Sequence, residues 1–226
     1  MRTDPYTIFI IDDQPVFVTG LTVILEKDSE FKVRGSADCW EALPEDLKSE
    51  PPDLFIVEIF LRNSDGFKLL TLLRRYFPSS AILVYSVQEE ALCGERALQS
   101  GAKGYLMKSD NLEIIHQAIR KLANGNVYLS SRLQEMIFSR ISSKSSSTDP
   151  VMLRELTNRE LQIMQFIGSG RSTAEIAAAM NLRVKTVEAH RSRIKKKLKL
   201  KHTTELIQYA VYWTGLGSSL PRARSF

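Results

Sequence analysis

Asp12, Asp13, Glu58, Ser86 and Lys108 are side chains that can handle a phosphoryl group, and each lies at or just past the end of a strand-like run. Carboxylates can hold Mg2+, a hydroxyl and a lysine can hold phosphoryl oxygens, and one well-placed carboxylate can accept the group. Residues 52–58 read as a buried strand that delivers Glu58 at its carboxyl end, and an Asp65-Gly66 turn follows seven residues later. In a parallel sheet the carboxyl ends of the strands share one edge, which is where such sheets bind ligands.

The elements that would place these residues alternate along the chain. Strand-like runs at 6–11, 31–36, 54–59, 81–87 and 104–107 are interleaved with helical patterns at 16–25, 40–47, 66–76, 90–98 and 112–122. Five such units predict an α/β domain, a doubly wound five-stranded parallel sheet of flavodoxin-like type with helices on both faces, over residues 1–126. A helical stretch at 133–141 and a serine-rich run at 142–150 predict a connecting segment over 127–152. Residues 153–226 then read as purely helical, a four-helix module.

Within that module Thr157-Asn158-Arg159-Glu160 and Ser172-Thr173-Ala174-Glu175 are capping-box sequences, each opening a short helix. Asn181-Leu182 turns the chain into a longer helix over 184–198, the pattern of a helix-turn-helix. Val184, Val187, Ile194 and Leu198 form its apolar stripe, which leaves Lys185, Glu188, Ala189, Ser192, Lys195, Lys196 and Lys199 on the other side. A last helix over 203–212 carries Leu206, Ile207, Ala210 and Val211, a stripe suited to packing on its own module, to a dimer contact, or to both.

Charge divides the chain in the same place. Residues 1–150 hold 17 basic and 21 acidic groups, net −4, and residues 151–226 hold 14 and 5, net +9. A basic module behind an acidic one predicts a polyanionic partner for the second part, namely nucleic acid, and the helix-turn-helix pattern makes that double-stranded DNA. The chain has 226 residues, 2 cysteines and 3 histidines. Two cysteines exclude a four-thiolate zinc site and fit a reducing compartment. No apolar run approaches the roughly 18 residues that span a bilayer, so no membrane partner and a cytoplasmic location are expected.

Residues 6–122 resemble a response-regulator receiver domain, through Asp12-Asp13, Ser86, Tyr105 and Lys108. The resemblance makes Asp12 and Asp13 an acidic metal-binding pair, Ser86 the switch hydroxyl, Tyr105 the switch aromatic and Lys108 the phosphate-side lysine. It places the family's aspartyl acceptor at Glu58, one methylene longer, and Arg62 where a proline is usual. Residues 153–215 resemble the LuxR-type helix-turn-helix of NarL/FixJ-type regulators, through Leu156-Thr157-Asn158-Arg159-Glu160, Glu175-Ile176-Ala177 and Thr186-Val187-Glu188-Ala189-His190. By that likeness Glu188, Ala189 and Ser192 would meet base edges, and Lys185, Thr186, His190, Arg193, Lys196 and Lys197 would meet or flank phosphates. Arg183 stands where the family usually has a capping serine, which predicts a recognition-helix end either frayed or stabilised by DNA.

The reading is therefore an atypical, non-enzymatic transcriptional regulator that binds DNA as a homodimer and is controlled without phosphorylation. No cofactor is required, and Mg2+ at Asp12 and Asp13 is permitted. The alternative is an interaction protein that pairs with another response regulator and modulates it. A phosphoester hydrolase using Asp12, Asp13 and Lys108 is disfavoured, because the acceptor position is altered and no substrate-covering insertion is visible.

Overall fold

The computed structural model describes residues 4–62, 64–142, 153 and 155–215, the side chains of 139–142 and 215 excepted. The chain divides into two compact units, Met1–Ser145 and Ser146–Phe226.

Except between β2 and β3, the first unit alternates as the hydrophobic pattern predicts: β1 (Tyr6–Ile11), α1 (Pro15–Leu25), β2 (Phe31–Ala37), β3 (Leu54–Val57), α2 (Gly66–Tyr76), β4 (Ala81–Ser86), α3 (Glu90–Ser100), β5 (Gly104–Met107) and α4 (Leu112–Ala123). The strands form one parallel sheet in the order β2-β1-β3-β4-β5. β3 and β4 are buried along their whole length, because helices cover both faces of the sheet. The core beneath one face is built from Ile8, Ile10, Leu54, Ile56, Leu83 and Leu106, closed by Ile115, Ile119 and Leu122 of α4.

The helix expected over 40–47 is absent. Its place is taken by one 3-10 turn, Glu45–Lys48, entered through Pro44. A proline inside a helix removes a donor and clashes with the preceding turn. Trp40 instead packs across Tyr76 and Phe77, with ring centroids 5.4 and 6.4 Å away.

α5 (Ser131–Ser142) follows. The sequence places it in a connecting segment, yet it packs on α3 and belongs to the first unit. Just before it, Tyr128 bridges Gly104 and its amide donates to the Lys103 carbonyl at 2.9 Å, which covers part of the β5 edge. The serine-rich run lies outside the described residues.

The second unit contains α6 (Asn158–Gly168), α7 (Thr173–Ala179), α8 (Val184–Lys197) and α9 (Thr203–Gly215). Both predicted capping boxes are present: Thr157 and Glu160 close the start of α6, and Ser172 and Glu175 close that of α7. Asn181, at φ 50°, turns the chain from α7 into α8. α9 packs tightly on α6 at Gly168, where a Cβ would lie 2.4 Å from the Ala210 carbonyl oxygen.

Candidate functional site

Strand register brings four of the five predicted pocket side chains together. Ile11 pairs with Val57, so Asp12 and Glu58 leave adjacent strands side by side. Ser86 pairs with Met107, which sets Lys108 beside them. The Glu58 amide donates to the Ile11 carbonyl at 2.9 Å and the Lys108 amide to that of Ser86 at 2.7 Å, so the backbone fixes these positions before any side chain is chosen.

Glu58 is 2% exposed and its carboxylate is the hub of the pocket. Ser86 Oγ donates to Oε1 at 2.6 Å, and the Phe60 amide donates to the same oxygen at 2.9 Å. Lys108 Nζ lies 3.2 Å from Oε2, with the Val87 amide at 3.4 Å. Lys108 also donates to Asp12 Oδ2 at 2.5 Å and stands 3.9 Å from the centroid of the Phe17 ring. Asp12 Oδ1 accepts the Gln14 amide at 2.9 Å. Burial pushes the Asp12 carboxyl above its ordinary value, against the pull of Lys108, and the Glu58 charge adds to the rise. Tyr105 is fully buried, and its hydroxyl donates to the Gln88 carbonyl at 3.0 Å.

Asp13 does not join the hub. Its Oδ2 accepts the amide of Arg62 at 2.6 Å, with Arg62 Nε at 3.7 Å. A proline at position 62 could not make that amide bond. Mg2+ needs oxygens directed at one point, whereas an ammonium and backbone amides already face Asp12, Asp13 and Glu58. As arranged, these carboxylates do not fit a divalent cation. Among the described residues no cluster of three or more His, Cys, Asp or Glu is placed to hold a metal.

The face of α8 expected to read DNA is largely exposed. Lys185, Glu188, Ala189, Ser192, Arg193 and Lys196 are exposed, Thr186 is half-buried, and Val187 and Ile194 are buried beneath them. Val184, predicted for the apolar stripe, is 44% exposed because it begins the helix beyond the packed region. Arg183 makes no side-chain cap, as expected, and the Thr186 and Val187 amides both donate to its carbonyl, at 2.9 and 3.2 Å.

Two expected phosphate contacts are placed differently. Lys197 Nζ lies 2.7 Å from Glu160, whose carboxylate also accepts the Thr157 amide at 2.7 Å, and it donates to the Glu155 carbonyl at 3.0 Å. This lysine ties the end of α8 to the cap of α6. Burial alone would raise Glu160, but Lys197 and Thr157 outweigh it and hold the carboxyl below its ordinary value. His190 is half-buried, and its Nδ1 has no hydrogen-bond partner among the described residues. Burial first, then Arg193, lower its pKa. Arg191, which no sequence motif marks, donates to Thr173 Oγ1 at 2.8 Å and fixes α8 against the start of α7.

The dimer candidates on α9 also divide. Leu206 and Ala210 are fully buried in their own module, whereas Ile207 and Val211 are 41% and 48% exposed. Both cysteines are free thiols, and burial pushes Cys93 up to about 12, which keeps it protonated at neutral pH. No described helix is long and apolar enough to cross a membrane.

Comparisons with known proteins agree with this division. Residues 8–120 match the response regulator receiver domain, and residues 154–210 match the bacterial regulatory proteins of the luxR family. The chain is 34% identical over 206 residues to the Fimbriae Z protein of Escherichia coli K12, covering 91% of this chain and 96% of that one. It is 32% identical over 212 residues to the oxygen regulatory protein NreC of Staphylococcus epidermidis, covering 90% and 96%. The response regulator RcsB of Salmonella typhimurium has a similar fold, with TM-score 0.74 at 22% identity over 94% of this chain and all of that one. A second RcsB structure, from Salmonella enterica serovar Typhimurium and bound to the promoter rprA in the presence of phosphomimetic BeF3-, gives 0.68 at 22%, over 92% and 98%. The chain therefore belongs to the two-component response regulators, transcription regulators that join a receiver domain to a LuxR-type DNA-binding domain.

Proposed function

We propose that this regulator binds DNA as a dimer and that Glu58, standing at the acceptor position, holds the receiver pocket in its engaged arrangement without phosphorylation. The observation that carries this reading is the donor set on one carboxylate: Ser86 Oγ at 2.6 Å, Phe60 N at 2.9 Å, Lys108 Nζ at 3.2 Å and Val87 N at 3.4 Å. Hydroxyl, ammonium and backbone amides are the groups that hold phosphoryl oxygens. Here they hold a side chain that is permanently present. The longer reach of Glu carries its charge toward the phosphoryl position, although it offers one negative charge and two oxygens where a phosphoryl group brings nearly two and three. The solved RcsB complex was obtained with a phosphomimetic; in this chain Glu58 serves that purpose internally.

DNA is read by the exposed face of α8, with Glu188, Ala189 and Ser192 toward the bases and Lys185, Arg193 and Lys196 toward phosphates. Ile207 and Val211 supply the exposed apolar surface of α9 for the dimer.

The test uses duplex DNA selected from a random pool by the unmodified chain. Glu58→Gln keeps the shape and removes the charge that Lys108 faces. We expect the wild-type chain to retain DNA without any phosphodonor and Glu58→Gln to retain it about tenfold more weakly. Equal retention by both would refute the role given to Glu58.

A further inference from the structure

Glu90 opens α3 four residues after Ser86, is buried, and takes no part in the pocket. Its Oε2 accepts the hydroxyl of Ser130, and its Oε1 is buried with no hydrogen-bond partner among the described residues. Burial raises the Glu90 pKa, against the Ser130 bonds that lower it. A buried carboxylate with one oxygen unpaired costs stability, so packing alone does not account for this residue.

Ser130 works in two directions. While its proton goes to Glu90, its oxygen accepts the Leu133 amide at 3.0 Å, which makes it the cap of α5. Leu133 is fully buried, seated where α3 has Gly94; a Cβ there would lie 3.0 Å from Leu133 and 3.0 Å from the Cγ of Glu90. Gly94 thus opens the seat, and Glu90 latches the helix that fills it.

The other end of the same segment is the pocket. Ser86 Oγ donates to Glu58, the Val87 amide lies on the same carboxylate, the Gln88 amide lies 3.3 Å from Ser86 Oγ, and the Gln88 carbonyl accepts Tyr105. Five consecutive residues, 86–90, therefore run from the Glu58 carboxylate to the cap of α5. α5 ends at Ser142, after which the chain continues toward the second unit.

We propose that Glu90 and Ser130 form a latch through which the state of the Glu58 pocket sets the docking of α5, with both acting as positioning residues for the helix that leads to the DNA-binding module. The latch rests on the reading that Glu58 holds residues 86–88. It requires no movement of the sheet, because the segment is a strand end and a helix start joined by a short turn. Coupling of this kind is shown by non-additivity between the two sites, not by their proximity.

The experiment is amide hydrogen exchange on the full chain, read at Val87 and at Leu133 and Gln134, in wild type, Glu58→Ala, Glu90→Ala and the double variant. Glu90→Ala leaves the Ser130 cap intact, and Ser130→Asp breaks the latch from the other side while keeping a cap acceptor. With the latch present, Glu58→Ala should speed exchange at all three amides by about tenfold. With either latch variant, Glu58→Ala should still speed Val87 but change the α5 amides by less than about twofold. An equal α5 response in both backgrounds overturns the latch, as does no α5 response when Val87 responds. No response at Val87 overturns the reading of Glu58 and the latch together.

Discussion

Glu58 and Glu160 are both buried glutamates that face a lysine, yet they are built by opposite means. Glu160 takes its partners from its own helix start, at Thr157, and adds Lys197 from 37 residues away. Glu58 receives donors from the loop that follows it, from the end of β4 and from the end of β5, and it shares Lys108 with Asp12. The first arrangement is a local cap reinforced by one distant cation. The second exists only when four strands, β1, β3, β4 and β5, are in register, and its two carboxylates compete for one ammonium. A cap with a single carboxylate locks a helix; two acids around one lysine make a site whose balance any added or removed charge changes.

The largest expected effect separates these designs. Lys108→Met leaves Asp12 and Glu58 buried without a cation and should destabilise the receiver by about 3–5 kcal/mol in urea unfolding. An effect below about 1 kcal/mol would show that the pocket does not depend on its ammonium. Next comes the division on α9: Leu206→Ala should cost the second unit about 2–5 kcal/mol. Ile207→Ala with Val211→Ala should change stability by less than about 1 kcal/mol, while weakening self-association in sedimentation. Equal stability losses would mean that the exposed pair is core after all.

Smaller differences follow for the cations of α8. Lys196→Ala should reduce the slope of log affinity against log salt by about one. Lys197→Ala should lower the stability of the helical module by about 1–2 kcal/mol, through the loss of Glu160's partner, and change the slope less. If Lys197→Ala reduced the slope as much as Lys196→Ala, the intramolecular pair would not persist on DNA.

The finest distinction is in pH. Glu160 is held below its ordinary 4.5, so its contribution is present above that value and is lost as pH falls through the lower folded value. Asp12 is raised above 3.8, so its contribution is present below that value and is lost as pH rises through the higher folded value. The two groups therefore respond to acid in opposite directions. Unfolding measured against Glu160→Gln and against Asp12→Asn, with Trp213 and Trp40 reporting the separate units, should give difference curves of opposite slope. Slopes of the same sign would contradict one of the two assignments.

The same contrast explains what could be read in the sequence. β1, α2 and β5 have the bounds that their apolar spacing predicts, and both capping boxes are local patterns that survive folding. Asp12, Glu58, Ser86 and Lys108 were legible as a group because parallel strands present their carboxyl ends together. An ion pair between Glu58 and Lys108 follows from that grouping and is present at 3.2 Å, but the closer contact of Lys108 with Asp12, at 2.5 Å, was not legible, since how one ammonium is shared depends on side-chain reach. Arg62 N to Asp13 spans 49 residues and Lys197 to Glu160 spans 37, and no local signal marks either contact. α5 looked like part of a connector because its docking rests on Leu133 meeting a glycine on another helix. Pro44 lies within the helix expected at 40–47, and its missing donor is the signal in the sequence against that helix.

The central claim is that Glu58 makes the phosphoryl group unnecessary. Its most direct test is the intact mass and DNA affinity of the full chain after incubation with a small phosphodonor and Mg2+. The account predicts an unchanged mass and an affinity within about twofold of the untreated chain; one phosphoryl group per chain on Glu58, with a rise in affinity, would contradict it.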